Sequence, residues 1–564
     1  MDPLESEAFY DLSTPTELAV SPDGERIAVV VDEFDPENDE RRSSVFVVPA
    51  DGSRPPHRLT RASDASQPAW SPDGSQLGFI GARNRDVDRR VGRTGDDTDE
   101  AEESEASDED GTSADGGGDE TDDGEPKPQV WMFDIERGGD AVQITDREEG
   151  VREFDWGPAG ERIVVAARDP TEEQSETLEE RRAGGPIEIE RLQHKADGAG
   201  WLDDVTTYLF VVDVATGQSH RLDEAYGQGA REPLIGLQPA WGPGDRIAFA
   251  STRTDRPDDS GVSDLYTIAP DGSDLRRVTD SQYRTSGYAW GPDGERVAFV
   301  AGDPENWYKP SELRVAEPAA GEHWSVTASL DRTIALAGTP TWLDRETVLA
   351  PIGDEGLTRL IQAAPDRDAP ARTFEAQGRD RTLLAVDAGG GRIGTILSEP
   401  SAGRNVFAAD GAELDADAAP TRLTALNDEL LAGCEMECRR VSYENDDGER
   451  IEAIVYLPPE FDPDDEPRPA IAAIHGGPMS YDAPEFRFSH AYWTSRGYVI
   501  YRPNYRGSTS YGRAFAESLK GTRGDLEADD VVAGLQALAD RGWVDPDRSL
   551  VTGFSYGGIT TANV

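Results

Sequence analysis

One phrase returns along the first three quarters of this chain, and it restricts the fold more than any other feature. It reads LAVSPDGERIAVV from Leu18, PAWSPDGSQLGFI from Pro68, FDWGPAGERIVVA from Phe154, PAWGPGDRIAFA from Pro239 and YAWGPDGERVAFV from Tyr288. PTWLDRETVLA from Pro340 and LLAVDAGGGRIGTIL from Leu383 are worn copies of it. Each copy reads as an apolar strand, a Pro-Asp-Gly type turn and a second strand with alternating apolar residues, which is the signature of a β-hairpin. Further strands such as SVFVVPADG, YLFVVDVATG and LYTIAPDG follow at similar offsets, each closed by its own turn. Four short strands per repeat make a propeller blade, so seven repeats predict an all-β, seven-bladed propeller over residues 1–430.

The tryptophans set the register. Trp241, Trp290 and Trp342 lie about fifty residues apart, whereas Trp70, Trp156 and Trp241 are separated by about 85, so two blades carry insertions of roughly 35 residues. The first, about 86–128, holds the run GDDTDEAEESEASDEDGTSADGGGDETDDGE, whose burial would not offset its chain entropy, and it is expected to be disordered. The second, about 171–203, mixes a helical charge pattern with a short apolar stretch and is expected to be a partly ordered loop.

A chain of 564 residues exceeds one ordinary core, so a second domain is expected. Its 112 Asp and Glu against 55 Lys and Arg leave a formal charge of -57, a surface that repels nucleic acid and anionic lipid. Lys127, Lys195, Lys309 and Lys520 are the only lysines. This composition resembles that of proteins from salt-in halophilic archaea. At about 1 M salt the screening length is roughly 3 Å, and carboxylate self-repulsion largely disappears. The opening MDPLESEAFYDL has neither a basic nor an apolar segment of a leader, and no apolar run approaches membrane-spanning length, so a cytoplasmic location is expected. Cys434 and Cys438 alone would leave a metal half-ligated and read as reduced, structural thiols; no metal or other cofactor is expected. Nothing in the sequence sets the oligomeric state.

From about residue 431 the period breaks and strands alternate with helices, the pattern of an α/β sheet with reactive groups at its strand ends. Gly553-Phe554-Ser555-Tyr556-Gly557 has the G-x-S-x-G form of a nucleophile elbow, following the apolar strand SLVTGF and preceding small residues. The earlier HGGPMS, His475 to Ser480, ends a buried strand in a glycine turn. Acyl transfer needs two donors aimed at the oxyanion. The N–H of Gly477, with Gly476 as alternative, and the N–H of Tyr556 are the candidates. Asp529 and Asp530 precede the elbow strand on a helix and read as cap or surface carboxylates rather than as the acid of a triad.

With RPNYRGSTSYG (Arg502 to Gly512) and GWVDPDR (Gly542 to Arg548) between these two motifs, the chain resembles the prolyl oligopeptidase family of serine peptidases, most closely its acylaminoacyl-peptidase-like branch. The resemblance implies a propeller on an α/β-hydrolase domain, here its N-terminal part over 431–564. It also implies cleavage of short peptides filtered for size by the propeller, with Ser555 as nucleophile. In that family the triad runs Ser, Asp, His, the last two well after the elbow. All six histidines precede Ser555, so the expectation is a C-terminally truncated and inactive chain. Two other readings stay open: a propeller that binds peptides or protein partners and carries a hydrolase remnant, and an esterase.

Overall fold

The structure, a computed structural model, describes residues 3–60, 64–83, 126–189, 191–196, 200–335, 338–373, 381–414, 420–434 and 436–564. Apart from its last residues, the acidic insertion of about 86–128 lies outside them. Seven four-stranded antiparallel sheets occupy 14–58, 66–143, 153–226, 240–277, 284–325, 341–372 and 382–422, and form a seven-bladed propeller. The first strands of successive blades touch one another, so they ring the central axis.

The recurring tryptophan stitches blade to blade. Trp70 Nε1 donates to Ala19 O (3.0 Å), Trp156 Nε1 to Ala69 O (3.0 Å), Trp290 Nε1 to Ala240 O (3.0 Å) and Trp342 Nε1 to Ala289 O (2.9 Å). A buried indole N–H needs a partner, and the preceding blade supplies it. Trp241 departs from the pattern. Its Nε1 donates to Asp245 within its own blade, while its backbone N–H donates to Asp155 Oδ2 of blade 3 (2.6 Å). The ring closes through Asp387 of blade 7, which accepts from Val20 N of blade 1 (2.8 Å) and from Thr341 Oγ1 of blade 6 (3.2 Å). Each blade is built from consecutive sequence, so side chains of this kind, not an exchanged strand, join first to last.

Within the second insertion lies the helix Glu172–Arg182, started by a capping box in which Gln174 N donates to Thr171 Oγ1 and Thr171 N to Gln174 Oε1. A two-stranded ladder pairs Lys195–Ala196 with Gly200–Trp201.

The C-terminal part is a five-stranded mixed sheet. Its strands are β1 (Glu437–Glu444), β2 (Arg450–Leu457), β3 (Arg468–Ile474), β4 (Val499–Asn504) and β5 (Val544–Gly553), in spatial order β1-β2-β4-β3-β5. β1 and β2 pair antiparallel, as do β2 and β4; β3 runs parallel to both β4 and β5. Helices α1 (Phe488–Thr494), α2 (Arg513–Glu517), α3 (Leu526–Asp540) and α4 (Tyr556–Asn563) connect and cover it. On α3 the inward positions Glu527, Asp530, Val531, Gly534 and Leu538 follow the spacing of one helical face.

Blades 5 to 7 carry hydrogen bonds between the two parts, and Phe34 of blade 1 packs on the cluster of Ile454, Tyr456 and Ile471. Tyr308 of blade 5 is buried in the α/β core beside Tyr505 and Tyr556. Gly356 N donates to Ser510 Oγ (3.0 Å), and Phe486 N to Ser398 Oγ (2.9 Å). The chain's opening residues also lie against the α/β sheet, with Leu4 and Leu12 packed among Ile454, Tyr456 and Ile471. Cys434 and Cys438 flank that same cluster. Among the described residues no helix is long and apolar enough to cross a membrane.

Candidate active site

Strand register brings the two glycine motifs together. In the parallel pair β3 and β5, Ile474 lies opposite Gly553, so His475-Gly476-Gly477 and Phe554-Ser555-Tyr556 leave the sheet side by side at its carboxyl end. Ser555 sits at φ 56, ψ -123 between β5 and α4, a conformation that costs a non-glycine residue about 1–3 kcal/mol. It is exposed, and among the described residues its hydroxyl makes no hydrogen bond.

The glycines of the elbow are demanded by space. A Cβ on Gly553 would lie 2.2 Å from Gly557 O, and one on Gly557 would lie 2.2 Å from Ile474 O. A Cβ on Gly476 would sit 2.9 Å from Phe554 O and 3.3 Å from Ser555 Cβ, so the HGGP turn rests directly on the elbow. Gly477 adopts φ +120, open only to glycine. The backbone amides of Gly476, Gly477 and Tyr556 have no backbone acceptor among the described residues.

Residues of the RPNYRGSTSYG stretch hold this turn, a role not visible from sequence. Tyr505 stacks on the His475 ring (centroids 4.3 Å apart) and its hydroxyl donates to His475 O at 2.8 Å. Ser508 Oγ lies 3.0 Å from His475 Nε2, and Asn504 exchanges hydrogen bonds with the backbone of Asp482. Arg502 pairs in the interior with Asp482 and Glu485. Burial holds the imidazole of His475 below its ordinary pKa, so it is a neutral spacer in the scaffold.

The other histidines are engaged elsewhere. His490 stacks on Tyr456, His194 on Trp201, and His220 Nε2 meets Pro270 O; His323 packs by Tyr283, and His57 ends blade 1. Asp529 is exposed as expected, but Asp530 is not a surface carboxylate. It is fully buried on the inward face of α3, where Arg506 Nη2 (2.8 Å), Arg506 N (2.9 Å) and Asn445 Nδ2 (2.7 Å) all donate to it. Those bonds tie the loop after β4 to α3. Sequence reasoning also missed Glu527, which is buried and accepts from Gly524 N (2.7 Å) and from the Tyr556 hydroxyl. The E-x-x-D spacing on α3 was the available signal, since it puts both acids on one face.

Comparison with known proteins agrees with this architecture. Residues 484–564 match the model of the prolyl oligopeptidase family. The uncharacterized peptidase YuxL of Bacillus subtilis is 26% identical over 580 residues, covering 97% of this chain and 77% of that protein. The acylaminoacyl peptidase of Pyrococcus horikoshii superposes with a TM-score of 0.73 at 18% identity over 99% of this chain and 76% of its own. A puromycin-hydrolyzing peptidase of Mycobacterium tuberculosis gives 0.66 at 18% identity over 100% and 77%. At such identity these structures speak for the fold. A seven-bladed propeller on an α/β segment, with residues 484–564 matching the family model and peptidase relatives along nearly the whole length, makes this chain similar to the serine peptidases of the prolyl oligopeptidase family.

Proposed function

We propose that Ser555 is the nucleophile of an acyl-transfer site that cleaves short peptides, of the acylaminoacyl-peptidase kind. The N–H of Tyr556 and that of Gly477, or of its neighbour Gly476, would receive the oxyanion. The observation that carries this reading is the strained, exposed Ser555 at the carboxyl end of β5, with the Gly476–Gly477 turn lying against it. Peptides are preferred to simple esters as substrates because the relatives along the whole chain are peptidases.

None of the six histidines is bonded to Ser555, so the hydroxyl is neutral in these 564 residues. Triad members act as a unit, and loss of the base costs nearly the whole rate enhancement. An oxyanion hole alone supplies on the order of 10³-fold over water. The 564-residue polypeptide by itself is therefore expected to show no significant peptidase activity.

A fluorophosphonate probe tests both halves of the proposal, with imidazole as an external base. Labelling should be negligible without imidazole, rise with it, and vanish in Ser555→Ala. Stoichiometric labelling of Ser555 without imidazole would refute the missing base. Imidazole-dependent labelling that survives in Ser555→Ala would refute the nucleophile.

A further inference from the structure

Carboxylates outnumber cations two to one in this chain, and its arginines are mostly taken up by ion pairs. Arg231 and Arg284 are exceptions that stand together. Their guanidinium carbons lie 5.3 and 4.9 Å from the centroid of the Trp307 ring. Among the described residues neither side chain has a hydrogen bond or an ion pair. Asp303, the carboxylate that acts on Arg284 from a distance, is already bonded to the amides of Glu305 and Asn306 and lies 3.5 Å from Lys309 Nζ. Burial and the neighbouring charge of Arg231 both hold Arg284 below its ordinary pKa, as expected for two like charges with no anion between them.

The fold links this pair to the α/β part through the loop that carries Trp307 and Tyr308. Arg284 opens the innermost strand of blade 5 opposite Gly302, and its guanidinium lies over that glycine, where an added Cβ would be 3.3 Å from Nη2. The loop after Gly302 carries Trp307, 45% exposed, and then Tyr308, which is buried in the α/β core. Tyr308 OH accepts from Arg523 Nε (3.0 Å), and the Arg523 guanidinium is 5.8 Å from the ring of Tyr556. The two arginines thus lie over the residue that directly precedes Tyr308, a side chain packed in one cluster with Tyr556. Cations left unsatisfied over an exposed aromatic ring, next to the loop by which blade 5 packs on the α/β part, are suited to receiving a planar anion.

We propose that Arg231, Arg284 and Trp307 form a substrate subsite that binds a carboxylate of the peptide presented to Ser555. The proposal rests on the acyl-transfer reading only for which bond is presented, not for the binding itself. The carboxylate comes either from the peptide's C-terminus or from an acidic side chain.

Isothermal titration of the 564-residue chain at fixed high KCl separates these sources and needs no turnover. The probes are acetyl-Ala-Ala-Phe as the free acid, the same peptide as its C-terminal amide, and acetyl-Glu-Ala-Phe amide. One of the two charged peptides should bind about tenfold more tightly than the neutral amide, the scale of one charge-assisted hydrogen bond. Tighter binding of the free acid identifies the C-terminus as the source, and of the Glu peptide the side chain. Arg284→Gln and Arg231→Gln, each confirmed as folded by circular dichroism, should abolish the preference. Arg284→Lys should restore only part of it, because an ammonium lacks the guanidinium fork. Arg231, on the connection between blades 3 and 4, keeps the test available if the strand position 284 does not tolerate Gln. Equal affinity for all three peptides, no binding of any, or an unchanged preference in both Gln variants would overturn the proposal. Because nothing is cleaved, a failure of Ser555 in the labelling experiment leaves this result interpretable.

Discussion

Glu153→Gln should reveal a pH-dependent cost built into the seam between blades 3 and 4. Glu153 opens the inner strand of blade 3 and reaches across to blade 4, where its Oε2 accepts from Leu237 N (2.9 Å) and Gln238 N (3.0 Å). Gly236 makes room for it, since a Cβ there would stand 2.2 Å from Oε1. Burial pushes its carboxyl up to about 7, against the pull of the two amides and of Arg152. In the unfolded chain a glutamate releases its proton near pH 4.3, whereas the folded protein holds it until about 7. Across that window the unfolded state binds fewer protons, so stability falls as pH rises and levels off above the folded value. A displacement of this size is worth roughly 3 kcal/mol at 1.36 kcal/mol per unit. Since the side chain is not wholly enclosed, about 2 kcal/mol between pH 5 and pH 8 is the working expectation. Gln keeps an acceptor for the amides and has no proton to lose. The variant should therefore gain about 2 kcal/mol on wild type between pH 5 and pH 8. Asp155, pushed up to about 6 by burial, titrates in the same window but is common to both proteins and cancels. Urea unfolding followed by tryptophan fluorescence at constant KCl measures the difference. A wild-type-minus-variant gap that is the same at both pH values, or a variant that loses ground at pH 8, would refute the reasoning.

Three further outcomes follow from the same structure. Asp387→Ala leaves the Val20 amide without its acceptor at the ring closure and should cost about 1–3 kcal/mol, most of it recovered in Asp387→Asn, read as urea midpoints. Arg506→Ala strands the buried carboxylate of Asp530 and should cost about 3–5 kcal/mol, whereas Arg506→Lys should cost less; equal losses would deny a role to the charge. Thermal midpoints should rise between about 0.1 and 3 M KCl as screening weakens repulsion on so acidic a surface, and a flat or falling series would contradict the halophilic reading.

The propeller was legible because its signal is local and repeated. An Ala-Trp pair next to a Pro-Asp-Gly turn marks the inner hairpin of a blade, and the structure shows why the pair recurs: the indole donates to the alanine carbonyl one blade back. Trp241 shows the limit of that rule, for its residue type was visible but its partner was not. The elbow could be read from its glycines, yet its nearness to HGGP depends on β3 pairing with β5, a contact between segments far apart in sequence. Asp530 was misread because a carboxylate on a helix looks solvated until Arg506 and Asn445, from two other loops, are known to meet it. The docking of Leu4 and Leu12 on the α/β sheet carried no periodic signal, since the segment is a single six-residue 3-10 turn.

The same long-range logic bears on how the elbow keeps its shape. Tyr556 supplies a backbone donor beside Ser555, and the direction of that N–H depends on where its own side chain is fixed. The hydroxyl donates to Glu527, a buried acid on α3 whose Oε1 also accepts from Gly524 N. Arg523, beside that turn, spans the rings of Tyr556 and Tyr308 and donates to the Tyr308 hydroxyl. Tyr308 belongs to blade 5, so the propeller contributes a buried side chain to the core that holds Tyr556. A blade that shifted would move Tyr308, and with it the guanidinium that contacts Tyr556. The propeller is therefore part of the packing that orients the residue next to Ser555.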